Sequence, residues 1–312
     1  MIINRSNLRS FQFALDTAFS KGLGMTTTGE GAVHQILCHE KEVIGRKEGE
    51  YPWLGASGKI RETTGTKEKV KLPLNRVRVR NGRFSLLIAI DEEDLECDEE
   101  GLYKDQAQMF GTEASDHFED EAAKVLAAGF STKDYTGSNF FAANKNVAPD
   151  LGAKSAKFTN FVTKKFSTAN YAAAVASLRT RTDANGKNLG LGNQGFTLIV
   201  GPNAEADAKV AIQATQGANG ATNVWSGTAK LRVWNWLHSY LPDSWFLVAN
   251  TVTGTRRPLI KQIGKKISSR MTGTEDVSAI IDGEILYELY GRHRIAYGDP
   301  ALIYGSDGST AA

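Results

Sequence analysis

Cysteine and proline are both scarce in this sequence, and each scarcity excludes a class of protein. Cysteine occurs twice in 312 residues, as Cys38 and Cys97, with no metal-ligand spacing around either. A disulfide framework and a cysteine-based zinc site are therefore not expected, and a reducing cytoplasm would suit the chain. The 7 prolines are too few for stiff linkers, whereas the 31 glycines predict many turns and close strand approaches.

The sequence also lacks a long hydrophobic run and a marked excess of either charge. No stretch reaches the length needed to cross a bilayer, and the net charge is only +2. A membrane protein and a general nucleic-acid binder are therefore both disfavoured. The first 22 residues place Leu8, Phe11, Leu15 and Phe19 at helical spacing without the apolar core of a secretory signal. This pattern predicts an amphipathic helix docked on protein.

A strand-rich excursion is predicted after an extended, glycine-spotted arm at residues 22–50. The chain is long enough for about two domains, or for one domain with large excursions. Within residues 51–90, KVKLPL lies on an outgoing limb and RVRVR on the return limb. The pair Asn81-Gly82 predicts a hairpin turn that leads from RVRVR into RFSLLIAI.

The strongest helical pattern runs from about Leu102 to Ala128, with apolar residues at steps of three or four. Gly129 supplies the stop. At 1.5 Å per residue, such a helix is about 40 Å long, which is more than most small enzymes use.

A separate α/β lobe is predicted in the second half of the chain. Residues 167–182 form a helix with Ser167 or Thr168 as its N-cap. A glycine-rich loop, the buried strand FTLIV and a helix beginning near residues 202–206 follow it. Residues 277–304 are strand-like again.

Two motifs that suggest ligand chemistry fail on their context. GLGNQG at residues 190–195 has dinucleotide-binding spacing, but a helix precedes it and a strand follows, which is the reverse of the required order. Asp183, Asn185 and Gly186 hint at a calcium loop. However, Lys187 stands where an oxygen ligand is needed, and no closing glutamate is in register.

The histidines give no catalytic or metal-binding motif either. None belongs to an H-E-x-x-H pair or lies beside a G-x-S-x-G elbow, although a triad can assemble in space from distant positions. We therefore expect no catalytic, cofactor-binding or metal-binding residues, and no enzyme. The five histidines are His34, His39, His117, His238 and His293.

Charge is segregated along residues 59–100. A basic set is followed by an acidic run that could bind a divalent metal but is more typical of a solvated face. Two interpretations stay open: the two sets pair within one subunit, or the basic excursion of one subunit lies over the acidic helix start of its neighbour. The basic set is Lys59, Arg61, Lys67, Lys69, Lys71, Arg76, Arg78, Arg80 and Arg83. The acidic set is Asp91, Glu92, Glu93, Asp94, Glu96, Asp98, Glu99 and Glu100.

Short motifs spread over most of the chain carry a family resemblance. They are MIINRSNLR at the start, YPWLG (51–55), EEDLE (92–96), AAGF (127–130), NFF (139–141), RPLIKQ (257–262) and DGEILYELYGRHRIAYG (282–298). In order and spacing they resemble the major head subunit family of phage Mu and its prophage relatives. The sequence departs from the family pattern at two places, near Thr63 and at Asn144-Lys145-Asn146. Both places are loop-like, so these differences concern local contacts and not the fold.

The resemblance implies an α+β capsid fold of the Hong Kong 97 type. In that fold an excursion called the E-loop extends from a peripheral domain, which is built on a long spine helix, and an axial domain forms a second lobe. The implied parts are an N-terminal helix and arm (1–50), the E-loop (51–90), the peripheral domain with the spine helix (91–166), the axial domain (167–262), and C-terminal strands returning to the peripheral domain (263–312).

The implied function is that of a major capsid protein. Copies would form pentamers and hexamers in an icosahedral head, assembled in the bacterial host cytoplasm, that packages double-stranded DNA by non-specific contact. A long two-stranded excursion is marginal alone, so the arm and the E-loop are expected to be covered by neighbouring subunits. Because the resemblance begins at residue 1, the scaffold and the maturation protease are expected to be separate proteins, as is the portal. The alternatives are an encapsulin-like compartment of the same fold and a soluble α/β enzyme.

Overall fold

The computed structural model describes residues 5–23, 32–54, 74–91, 93–94, 102–148, 155–217, 220–251, 256–273, 276 and 281–311. None of the helices in these ranges is long and apolar enough to cross a membrane. The helices are α1 (Arg5–Leu23), α2 (Val33–Leu37), α3 (Leu102–Ala128), α4 (Thr168–Arg179) and α5 (Glu205–Ile212).

The described strands form a four-stranded sheet in the order β1-β11-β12-β4, a five-stranded sheet in the order β7-β13-β10-β8-β9, and two pairs, β2-β3 and β5-β6. The strands are β1 (Cys38–Glu42), β2 (Glu48–Leu54), β3 (Leu74–Arg80), β4 (Gly82–Asp91), β5 (Lys145–Asn146), β6 (Lys157–Phe158), β7 (Phe161–Lys164), β8 (Phe196–Val200), β9 (Ala229–Val233), β10 (Trp245–Ala249), β11 (Leu259–Met271), β12 (Glu284–Tyr297) and β13 (Ile303–Thr310).

The long helix α3 has the predicted bounds, and α1 packs along it. Leu15 and Phe19 of α1 are buried in one cluster with Ala107 of α3. The two helices approach closely at Gly22 of α1, where a Cβ would lie 1.9 Å from the carbonyl oxygen of Gln108 on α3. The first helix is therefore docked on protein as its periodicity predicts, but on its own chain. The expectation that neighbouring subunits cover the arm and the E-loop stays a prediction.

The four-stranded sheet lies against the same two helices. Its strand β1 runs parallel to β11, and the other neighbours are antiparallel. Ile90 of β4 and Ile285 and Tyr287 of β12 are buried in the cluster that also holds the apolar side chains of α1 and α3. This sheet and the spine helix α3 thus form one body.

The five-stranded sheet forms the core of the predicted α/β lobe. All residues of β8 and β10 are buried, as expected for strands covered on both faces. Helix α4 packs on this sheet, with Tyr171 in a common cluster with Trp245. Ser167 is its N-cap, because the Ser167 side chain accepts a hydrogen bond from the backbone N–H of Asn170.

The hairpin predicted at Asn81-Gly82 is wrong. Strand β3 pairs with β2, whereas β4 pairs with β12 over its whole length. A two-residue hairpin of this kind requires positive φ at both central residues, and neither Asn81 nor Gly82 adopts it. Asn81 instead connects β3, which pairs with β2, to β4, which lies in the four-stranded sheet. Residues 82–90 therefore belong to that sheet and not to the excursion.

The last strand also differs from the expected arrangement. Strands β11 and β12 lie in the sheet beside α3. Strand β13, however, pairs with β10 and β7 in the five-stranded sheet. Its residues Ile303 and Tyr304 are buried, so the hydrophobic core of that lobe holds the strand in place.

Candidate functional site

The base of the E-loop consists of the paired strands β2 and β3, and its two faces differ sharply. Val79 is buried with Tyr51 against Ile260 of β11, and Val77 packs beside them. The alternate residues of β3 are arginines that face solvent. This period-2 pattern is the one that RVRVR predicts for a half-buried strand, and it aligns three cations on one face.

One buried amide fixes the E-loop base to the sheet beneath it. The Nε2 of Gln262, on β11, donates to the carbonyl oxygen of Val79 at 3.1 Å and to Oδ1 of Asn81 at 2.7 Å. Its Oε1 accepts from the hydroxyl of Tyr51 at 2.8 Å, and burial raises the pKa of Tyr51 to about 12. A Cβ at Gly49 would lie 2.1 Å from the same Oε1. The absence of a side chain at Gly49 therefore provides the space that the Gln262 amide occupies.

Four members of the basic set lie in the described residues, and all four are exposed: Arg76, Arg78, Arg80 and Arg83. Arg78 pairs with Glu50 across the strands at 3.1 Å. Arg76, Arg80 and Arg83 make no ion pair with another described residue. The remaining members, at positions 59, 61, 67, 69 and 71, lie outside the described residues. We call Arg76, Arg78 and Arg80 the arginine face.

Three members of the acidic set are described, namely Asp91, Glu93 and Asp94, and all are exposed. Oδ1 of Asp91 accepts from the backbone N–H of Glu93 at 2.8 Å. The other members, at positions 92, 96, 98, 99 and 100, lie outside the described residues. No ion pair joins the described acidic and basic members, so pairing within one subunit finds no support among them.

A buried carboxylate that sequence reasoning missed connects α2, α3 and the segment that follows β9. Glu119 of α3 accepts from Nδ1 of His34 at 3.0 Å and from Nε1 of Trp234 at 2.8 Å. Lys261 of β11 lies 3.3 Å from Nε2 of His34 and 3.0 Å from a carboxylate oxygen of Glu40. Buried charges need such partners, so this network fixes how the segments meet.

A second buried ion pair lies where the sequence departs from the family pattern. Lys145 and Asp134 are both fully buried, with Nζ and Oδ2 2.6 Å apart. Burial lowers the pKa of Lys145, and the neighbouring Asp134 opposes that shift. Nζ also donates to the carbonyl oxygens of Asn139 and Phe140. The segment predicted as loop-like is therefore held by a fully enclosed lysine.

Two histidines and a glutamate meet under the start of β4, although no sequence motif joins them. His117 and Glu121 lie one turn apart on α3, and His293 lies on β12. The Nε2 atoms of the two histidines are 2.9 Å apart. Oε2 of Glu121 is 3.3 Å from Nε2 of His293 and 3.8 Å from Nε2 of His117. The spacing of His117 and Glu121 on one helix face was the only clue in the sequence.

Electrostatics within this cluster favour the neutral form of His117 and the charged form of Glu121. Burial, together with the neighbouring His293, lowers the pKa of His117. Burial acts to raise the pKa of Glu121, but the contacts with His293 and the backbone N–H of Ile295 outweigh it, so this pKa lies below its usual value.

Solved phage capsids share this architecture. The chain aligns with the procapsid of bacteriophage JBD30 at a TM-score of 0.55 and 18% identity, covering 97% of this chain and 76% of that one. It aligns with the capsid of cyanophage P-SCSP1u at a TM-score of 0.58 and 13% identity, covering 94% of each. These likenesses define the class: the protein has a phage capsid fold, and the predicted α+β fold of the Hong Kong 97 type is confirmed.

The family follows from the sequence match. The model of the Mu-like prophage major head subunit gpT matches residues 8–165 and 157–237, and the chain belongs to that family. The major capsid protein of Escherichia phage Mu is 28% identical over 101 residues. That match spans 32% of this chain and 33% of the Mu protein. The resemblance noted in the sequence is thereby confirmed, whereas the domain bounds and the charged contact sets stay predictions.

Proposed function

We propose that this chain is the shell subunit of a Mu-like phage head, and that copies of it form pentamers and hexamers in an icosahedral shell around double-stranded DNA. Family membership and the capsid fold support this role. The observation that carries it furthest is the arginine face. It lies on a strand pair anchored by Gln262, yet only Arg78 has an ion-pair partner among the described residues. A rigid, exposed cationic face with so few partners of its own suits contact with a second molecule.

The partner surface we propose is the acidic run before α3 of the neighbouring subunit. Opposite charged patches steer association and fix its register, even where single exposed ion pairs contribute little stability. Asp91, Glu93 and Asp94 are exposed and lie at the end of β4, in the same chain as the arginine face. Every subunit therefore carries both halves of the contact, which is the condition for a head-to-tail ring.

Reversal of the arginine face tests this contact. We expect Arg76→Glu, Arg78→Glu and Arg80→Glu together to prevent shell formation, because six units of charge change on one face, while the monomer stays folded. Negative-stain microscopy and sedimentation measure the particles, and thermal unfolding measures the monomer. The matched control is Lys133→Glu, Lys157→Glu and Lys230→Glu, which makes the same charge change at other exposed positions.

Charge exchange gives the sharper test. We expect Asp91→Lys, Glu93→Lys and Asp94→Lys to block assembly alone and to restore shells when combined with the reversed arginine face. Normal particles from the arginine reversal, or no recovery in the combined variant, would defeat the proposed contact.

The remaining partners follow from this role. A separate scaffold, a separate maturation protease and a portal would act with the subunit in the host cytoplasm, and the finished shell would be the virion head. DNA contact would be electrostatic and independent of sequence, and so weakened by salt. Nuclease-protected DNA in particles purified from phage-producing cells tests the packaging role. Particles that instead enclose protein cargo and no nucleic acid would indicate an encapsulin-like compartment.

A further inference from the structure

Three potential metal ligands converge at the junction of α3, β12 and β4. The ligand atoms of His117, Glu121 and His293 all lie within 4.8 Å of one another. His293 and Glu121 are buried, and His117 is partly buried. Ionisable side chains are seldom buried together unless they pair with one another or bind an ion. The enclosure of these three residues therefore calls for such an interaction.

We propose that these three residues bind one divalent transition metal ion, with zinc as the preferred ion. Zinc takes imidazole nitrogens at about 2.0–2.1 Å and carboxylate oxygens at about 2.0–2.2 Å in tetrahedral geometry, which places adjacent ligand atoms roughly 3.3 Å apart. The observed separations are 2.9, 3.3 and 3.8 Å. The three atoms therefore already lie at the spacing of three corners of a tetrahedron, and the fourth corner is left for water or another ligand.

The surroundings hold Glu121 and His293 in place by a hydrogen bond and by ring packing, while Nδ1 of His293 makes no hydrogen bond to another described residue. Oε1 of Glu121 accepts from the backbone N–H of Ile295 at 3.3 Å, which leaves Oε2 directed at the histidines. The ring of Phe84 stacks on His293 with centroids 4.1 Å apart, and Phe118 packs on His293 at 4.7 Å. Contacts of this kind hold ligating side chains in position and limit the access of solvent to the site.

The place of the site in the fold suggests its purpose. His293 is the register partner of Gly82, the first residue of β4, which directly follows the E-loop base. A bound ion would join the spine helix to β12 at the point where the chain enters the sheet from the excursion. Metal binding would thus stabilise the subunit body next to the E-loop base, and the expected role is structural.

Zinc titration of the full-length chain tests the site. Protein stripped with a chelator is titrated with Zn²⁺ by calorimetry and with Co²⁺ by visible absorption, which distinguishes tetrahedral from octahedral coordination of the ion. We expect one equivalent of metal per chain. His117→Gln and Glu121→Gln should each weaken binding by about tenfold or more, since even residues that only support ligands have effects of that size. His238→Gln, at an exposed histidine on another segment, should leave binding unchanged.

Two results would overturn the proposal: a wild-type chain that binds neither ion, or variants that bind both ions as tightly as the wild type. Circular dichroism of the metal-free variants separates lost binding from lost folding. His117 is the decisive position, because its side chain is 30% exposed, more than that of Glu121 or His293. Shell formation is measured separately, so failure here leaves the assembly role intact.

Discussion

The arginine face and the Lys145–Asp134 pair place the same kind of charge in opposite surroundings. Arg78 is 76% exposed, whereas Lys145 and Asp134 are completely enclosed. An exposed charge keeps its water and has little effect on folding, so it stays available for a partner molecule. An enclosed charge has lost its water and depends on a specific partner within the chain. The first kind therefore suits assembly, and the second determines how segments of one subunit meet.

The largest effect is expected from breaking the enclosed pair. Lys145→Ala leaves the Asp134 carboxylate buried without its cation, and we expect a loss of about 3–5 kcal/mol in the free energy of unfolding. Urea unfolding of the unassembled subunit measures it. The matched control is Lys133→Ala at an exposed lysine, with an expected change within about 0.5 kcal/mol. Equal effects of the two substitutions would contradict the contrast between the regions.

An intermediate effect is expected at the amide that anchors the E-loop base. Gln262→Ala removes the partner of Tyr51 and Asn81, and we expect a loss of about 1–3 kcal/mol. Hydrogen exchange should rise in β2 and β3 and stay unchanged in β10, because the amide joins only the E-loop base to its sheet. Gln194→Ala, at an exposed glutamine, is the control. Uniform loss of protection across both sheets would show that Gln262 supports the whole subunit instead.

The smallest effect is expected for the one exposed pair on the arginine face. A double-mutant cycle with Arg78→Ala and Glu50→Ala should give a coupling energy of about 0–1 kcal/mol, as for other exposed ion pairs. Thermal unfolding of the unassembled subunit gives the four stabilities required. A coupling above about 2 kcal/mol would mean that Arg78 is committed to its own chain and less available to a neighbour.

Local periodicity was enough to predict several elements with good bounds. The bounds of α3 follow from apolar residues at helical spacing, and the burial of Val79 between exposed arginines follows from alternation. The cap of α4 follows from the preference of serine for that position. Each of these features depends on residues that are neighbours in sequence.

Most of the features that sequence reasoning missed depend on partners that are far away in the sequence. Asn81-Gly82 has hairpin chemistry, but β4 pairs with β12 some 200 positions later, and that pairing overrides the local preference. Lys145 looked like a loop residue because nothing nearby in sequence indicates that Asp134 would enclose it with a countercharge. The meeting of His117 with His293 likewise required the three-dimensional fold.

The pairing of β1 with β11 and of β4 with β12 has a consequence for synthesis on the ribosome. The N-terminal strands emerge first and must wait until residue 297 has been added before their sheet can close. Long-range pairing of this kind slows folding and leaves strand edges open meanwhile. Gln262 lies on β11, which is synthesised long after β2 and β3. In a nascent chain that lacks β11, the E-loop base therefore has no anchor. Only a subunit that has been translated past β11 can offer that surface to its neighbours.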